Sequence, residues 1–349
     1  MKAIFRIQNK RTAPFERYLW YIKERFNTAN NLVNKSSGYR NIRAFVIVFL
    51  SCTEILTAQQ DAGFSQYFFN QLYINPAYAG SRQTLAGTLV HRSQWVAMPG
   101  APATQSLTLH TPLAHTHAGI GLQVYHDKTG PLNNTGIQAT YSYRILLGKY
   151  KLAFGLNGSA HNLRISFDEI NVDDKTDPSF LGKGSSWIPD AGCGVYLYRN
   201  RLYAGLSALH IIQPKFNLGG SENAKFYRQY YFTGGMVFGL NENVDFRPSV
   251  LLKWTTAAPI TTDLNASFIF RQRFFIGCGF RTAKRINISG SDNQLVLITE
   301  YNISNTLRIG YSYDWYLSRS GNYNSGTHEI MLGWDINLNR TKMTSPIFF

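Results

Sequence analysis

From about Gln83 to Asn339 the chain is a succession of segments, each roughly nine to thirteen residues long, in which apolar and polar side chains alternate one for one. Successive side chains of a β-strand point to opposite faces, so a period of two commits the chain to strands with one apolar and one polar side. In the final segment Ile330, Leu332, Trp334, Ile336 and Leu338 share one face, and Glu329, Gly333, Asp335 and Asn337 share the other. The segment before it sets Leu307, Ile309, Tyr311, Tyr313 and Trp315 against Arg308, Gly310, Ser312 and Asp314. Ile137, Ala139, Tyr141 and Tyr143 alternate with Gln138, Thr140, Ser142 and Arg144 in the same way. At about 3.3 Å per residue, eleven residues reach about 36 Å, which a tilt of ~40° brings near the ~25 Å apolar band of a membrane barrel.

The pattern predicts strands at 84–95, 102–111, 117–126, 135–147, 149–163, 187–199, 201–212, 226–240, 243–255, 259–271, 273–283, 291–303, 305–317 and 327–339. Their connections sort into two kinds. Gly148, Asn200, Asn241-Glu242, Gln272 and Ser304 mark short turns, and Pro112 to Thr116 a slightly longer one. Between these fall mostly longer connections rich in Gly, Asn, Asp and Pro, at 96–101, 127–134, 164–186, 213–225, 255–258, 284–290 and 318–326. Short turns on one side and longer loops on the other are the habit of outer-membrane barrels, and here they place both termini on the periplasmic side. The expected fold is therefore all-β, a transmembrane antiparallel β-barrel of about fourteen strands of the outer-membrane type. A soluble β-sandwich also alternates and turns frequently. Long strands, aromatic residues recurring near strand ends and the lack of a break over ~290 residues favour the barrel.

Composition agrees with a membrane wall: 44% of the 349 residues are hydrophobic and 14% aromatic, but only 16% are charged, which leaves few groups to face water. Mean hydropathy is nevertheless −0.20, and no apolar run approaches the ~18–20 residues of a spanning helix. The net charge of +15 invites a nucleic-acid reading, yet about ten of the 35 basic residues precede Ala58, against about three acids. The others stand singly at turns or alternate within strands instead of clustering on one face, so no nucleic-acid partner is expected. Arg40 and Arg43, then Ala44 to Leu50, then Leu56-Thr57-Ala58 read as the basic region, apolar core and cleavage site of a secretory signal. Phe49-Leu50-Ser51-Cys52 is a poor lipobox, so no lipid anchor is expected. Cys193 and Cys278 lie inside strands and define no disulfide framework. The chain thus divides into an extension and signal (1–58), an aromatic lead-in (59–82), the barrel (83–339) and a tail (340–349).

The lead-in reads Phe64-Ser-Gln-Tyr-Phe-Phe-Asn-Gln-Leu-Tyr-Ile-Asn-Pro-Ala-Tyr-Ala-Gly-Ser81. It resembles the opening signature of type IX secretion system membrane proteins of the PorP/SprF family. Gln94-Trp95, Gly100-Ala101-Pro102, Thr104-Gln105 and His110-Thr-Pro-Leu113 are similar to the stretch that follows in that family. So are Asp127, Gly130-Pro131 and Tyr141 to Ile145, and Gly326-Thr-His-Glu-Ile-Met-Leu332 is similar to its closing strand. Gln71 stands where the family often carries Pro. The resemblance implies a non-enzymatic outer-membrane protein that assists type IX export, or the cell-surface attachment of a large adhesin in gliding or adhesion. It also implies the partners: the system's periplasmic ring or a peptidoglycan-linked lipoprotein, and the secreted adhesin itself. A porin or a barrel transporting hydrophobic solutes is the competing expectation, since lumen residues such as Arg144, Arg308 and Asp314 suit an aqueous interior under either reading.

Within the lead-in, Tyr67, Phe68, Asn75, Pro76, Tyr78 and Gly80 are the partner-contact candidates. An aromatic segment punctuated by Asn75-Pro76 must bury itself, as a plug in the lumen, as a periplasmic docking surface or as a packed approach to the first strand. His110, His115 and His117 surround the first short turn, but no third ligand has supporting spacing, so no metal is expected there. Asp168, Glu169, Asp173, Asp174 and Asp177 crowd one loop without the glycine turn and terminal Glu of a calcium loop. No nucleophile with a base and no phosphate-cradling glycine loop has a local signature, so neither catalytic residues nor a cofactor is expected. The many glycines within strands relieve crowding at wall or lumen positions.

Overall fold

The alternation becomes a wall. A computed structural model describes residues 63–166, 185–218, 221–255, 258–284, 291–318 and 324–337. The expected signal at Arg40 to Gln60, the acidic loop residues 168–177 and the tail 340–349 lie outside them. Among the described residues the strands are β1 (Leu85–Ser93), β2 (Ala103–Pro112), β3 (Ala118–Thr129), β4 (Leu132–Leu147), β5 (Tyr150–Ile165), β6 (Ser185–Arg199), β7 (Leu202–Leu209), β8 (Lys215–Leu218) and β9 (Ser221–Lys225). They continue as β10 (Gln229–Met236), β11 (Phe238–Asn241), β12 (Val244–Thr255), β13 (Ala258–Phe270), β14 (Phe274–Lys284), β15 (Ser291–Asn302), β16 (Leu307–Tyr316) and β17 (Thr327–Ile336).

Wall strands pair antiparallel with their neighbours in sequence, and β10 bonds to both β7 and β12. β1 pairs β17 from Leu85↔Ile336 to Ser93↔His328, which closes the sheet on itself. β8 and β9 form a separate two-stranded sheet, while β10 and β11 lie end to end along β12 as one wall strand. The closed barrel therefore has fourteen strands, the even number typical of bacterial outer-membrane barrels.

Four boundaries differ from expectation. The 127–134 loop is instead a tight turn at Gly130-Pro131, because Thr129 already pairs with Leu132 and Gly130 takes a positive φ of 55°. The strand expected at 201–212 stops at Leu209, where His210 enters the left-handed region at φ 55°. The strand at 226–240 is interrupted at Val237, although buried and exposed side chains keep alternating through it. The connection 213–225 carries the β8–β9 hairpin in place of an irregular loop.

Side chains sort by parity. On β17, Glu329, Met331 and Asp335 are buried while Ile330, Leu332 and Ile336 are exposed. Leu297, Ile330 and Leu206 are 52%, 51% and 61% exposed, members of an outer surface dense in large apolar groups that only lipid would cover at low cost. The inward face carries the polar and charged residues, so the molecule's core is the lumen and what fills it. Cys193 and Cys278 are free wall residues.

Candidate functional site

What fills the lumen is the lead-in. From Phe64 to Ser81 every residue is buried, with no break. The backbone is folded into three single 3-10 turns, Tyr67–Phe69, Gln71–Tyr73 and Pro76–Tyr78. Asn75 explains the third. It is extended, its side chain accepts the Ala77 amide at 2.9 Å, and Pro76 occupies the first turn position, where a missing N–H costs nothing. The Asn75 side-chain amide also donates to the Val195 carbonyl on β6 at 3.0 Å and the Leu206 carbonyl on β7 at 3.4 Å. One residue thus caps the turn and pins it to two wall strands.

The wall is hollowed where the segment passes. A Cβ on Gly155 of β5 would overlap the backbone of Pro76 and Ala77, and one on Gly205 of β7 would come within 2.7 Å of the Asn75 amide nitrogen. Gly80 needs its glycine twice over. Its φ is +66°, and a Cβ would lie 2.9 Å from the Cα of Gly119 and 3.0 Å from that of Pro112. Polar wall groups satisfy the irregular backbone beside these niches: Ser142 donates to the Ala79 carbonyl at 2.6 Å, Arg144 to that of Gly80, and His110 Nδ1 accepts from the Gly80 amide at 3.1 Å.

Both ends of the segment are held by buried ion clusters. At its start, Glu329 accepts from the amides of Ser65 and Gln66, each at 2.9 Å, and Asp314 accepts from the Ser65 hydroxyl at 2.7 Å. Arg92 bridges the two carboxylates, at 2.7 Å to Asp314 and 2.9 Å to Glu329, and Arg281 joins Asp314 at 3.3 Å and Asp263 at 2.8 Å. At its exit, Arg82 binds Asp335 at 2.8 Å, and Arg308 binds the same carboxylate. Removing one member of such a buried cluster strands its partner, at a cost on the order of 3–5 kcal/mol. Between the ends, the Arg247 guanidinium lies over the rings of Phe68 at 4.5 Å, Phe275 at 4.7 Å and Phe69 at 5.3 Å, a cation–π contact strengthened by burial.

Tyr67, Phe68, Asn75, Pro76, Tyr78 and Gly80 are therefore gathered inside the barrel. Tyr67 accepts from Asn265 at 3.2 Å, and Tyr78 meets His110 and Tyr196 edge-on at 5.2 and 5.4 Å. His115 and His117 are exposed at the turn and form no ligand group with other described residues. Sequence reasoning missed the clamps Arg92, Arg247, Arg281 and Glu329. Their signal was charge at inward strand positions, paired with glycine at others. It also missed a cluster at the long-loop end, where His161, Asp190 and His210 place their ligand atoms within 4.8 Å of one another.

The sequence profile described as type IX secretion system membrane protein PorP/SprF matches residues 56–334. No curated protein sequence matches the chain. In shape the chain is similar to the CymD monoaromatic hydrocarbon channel, with a TM-score of 0.47 at 10% identity over 76% of this chain and 91% of that one. It is also similar to the outer membrane protein Omp33 of Acinetobacter baumannii, with a TM-score of 0.43 at 9% identity over 73% and 99%. For the KdgM porin the values are 0.36 and 8%, over 72% and 98%.

Proposed function

This chain belongs to the PorP/SprF family of type IX secretion system membrane proteins, and on that premise we propose that it is a non-enzymatic barrel acting through protein contacts in the export and surface attachment of a large adhesin. It is an outer-membrane component of that secretion system. The observation that carries the proposed role is the lead-in, buried from Phe64 to Ser81 inside the lumen and clamped at both ends by ion clusters. A barrel so filled offers partners its rims and outer wall, whereas a porin needs a continuous water path.

On this reading Tyr67, Phe68, Asn75, Pro76, Tyr78 and Gly80 are the residues a partner would engage, and their burial in the lumen supports a contact made on release. With the segment seated they bear on the wall, and a partner would meet them by drawing the segment out. Baring an aromatic or aliphatic side chain costs about 1.5–3 kcal/mol, so release would require a partner that covers those groups as they leave. The system's periplasmic ring or a peptidoglycan-linked lipoprotein, facing the side from which the chain is expected to enter after signal cleavage, and the adhesin in transit are the partners proposed. Gliding or adhesion would be the outcome for the cell.

Deleting the gene and comparing surface and culture-fluid proteomes with the parent strain tests this. Loss of one large adhesin from the surface, with other outer-membrane proteins retained, is the expected result. Retention of all type IX cargo with a change only in small-solute uptake would replace this reading with the transport one.

A further inference from the structure

The His161, Asp190 and His210 cluster is separate from the clamps that seat the lead-in. His161 and Asp190 face inward from β5 and β6, where Ser159 pairs with Asp190 and His161 with Ile188. His210 follows the last residue of β7. On β7 the odd positions Tyr203, Ser207 and Leu209 are buried and Leu206 is exposed, so strand parity would aim residue 210 at lipid. A φ of +55° turns it inward instead, and it is only 6% exposed. Non-glycine residues rarely hold that conformation, and such outliers concentrate at binding and catalytic sites.

We propose that these three residues form a site for a divalent first-row transition-metal ion of the Zn²⁺ class. Two imidazoles and one carboxylate are the donor set that such ions prefer, whereas Ca²⁺ and Mg²⁺ take all-oxygen shells. Bonds of ~2.0–2.1 Å around a tetrahedral ion hold ligands about 3.3 Å apart, and these ligand atoms lie within 4.8 Å of one another, so binding would need them to close by about 1.5 Å at most. The supporting shell is in place. Asp190 is oriented by the amides of Ala191 at 2.7 Å and Ile212 at 3.3 Å, and lies 2.7 Å from His210 Nδ1. His161 has a hydroxyl at each nitrogen, Tyr125 at 2.7 Å and Ser159 at 3.0 Å, so the ion would displace one hydroxyl and leave the other as the ring's outer partner.

His161 and His210 help to line a cavity with Gln123, Gln138 and Asn157, whose polar groups could hold a water as a fourth ligand. Phe226, next to the β8–β9 hairpin, stacks on His210 at 4.9 Å and covers His161 at 5.1 Å. Bound metal would tie β5, β6 and the end of β7 together beside Tyr73 of the seated segment. This site stands whether or not the secretion role does.

The test uses the full mature chain, without a histidine tag, in detergent micelles after EDTA treatment. Calorimetric titration with Zn²⁺ alone is expected to show one ion per chain, and Co²⁺ the visible absorption of a four-coordinate nitrogen and oxygen site. Asp190→Asn and His210→Gln are each expected to weaken binding at least tenfold, and the double variant His115→Gln, His117→Gln to leave it unchanged. X-ray absorption of the Zn²⁺-loaded wild type, which does not depend on any variant folding, is expected to show two imidazoles. No stoichiometric uptake, binding indifferent to Asp190 and His210, loss in the His115/His117 variant, or a shell without imidazole would each overturn the site.

Discussion

Two glycines of one strand, Gly155 facing the lumen and Gly158 the outer surface, differ sharply in what a side chain would meet. On β5, at about 3.3 Å per residue the three steps from Gly155 to Gly158 span roughly 10 Å, yet a Cβ at the first overlaps the Pro76–Ala77 backbone and one at the second meets nothing within 4 Å. Gly155→Ala is therefore expected to destabilise the seated segment by about 1–3 kcal/mol, the usual range for overpacking. Gly158→Ala should stay within about 0.5 kcal/mol of the parent. Limited proteolysis of the detergent-solubilised barrel checks both: cleavage within 63–82 should accelerate only in the first, and equal rates would remove Gly155 from the seat. A glycine at an inward position was visible in the sequence; what it made room for was not.

At the scale of an element, the lead-in differs from every strand. Its three 3-10 turns leave backbone groups without a ladder, and wall side chains such as Ser142, Arg144 and His110 serve them instead. Removing residues 64–81 is expected to leave the strands paired, since their hydrogen bonds run to one another, while opening the lumen. Planar-bilayer recordings are the measurement. The parent should be silent or nearly so and the deletion should show steady conductance; a parent that conducts as strongly as the deletion would refute a sealing role for the segment. The strands themselves were legible residue by residue, because alternation is local. Their ends were less so: His210 stops β7 through a backbone conformation that no composition announces.

For the molecule as a whole, the membrane replaces the usual hydrophobic core. Apolar groups point out and charges point in, so a charge on the outer face meets lipid with no partner. Leu297, exposed at the middle of β15, becomes the probe: Leu297→Arg should cost about 2–4 kcal/mol near the bilayer midplane, measured by refolding into lipid vesicles under denaturant. A change near zero would mean that this face is covered by protein. The amino-acid sequence by itself determined the wall, its strand number and its orientation of apolar and polar faces, because a one-residue slip would turn every side chain to the wrong side. Only the tertiary structure decided what the lumen holds. Ser65 meets Asp314 and Glu329 across 249 and 264 residues of chain, and His161 of β5, Asp190 of β6 and His210 just past β7 converge. Those meetings depend on barrel closure and on the register of every pair between, which no local pattern carries.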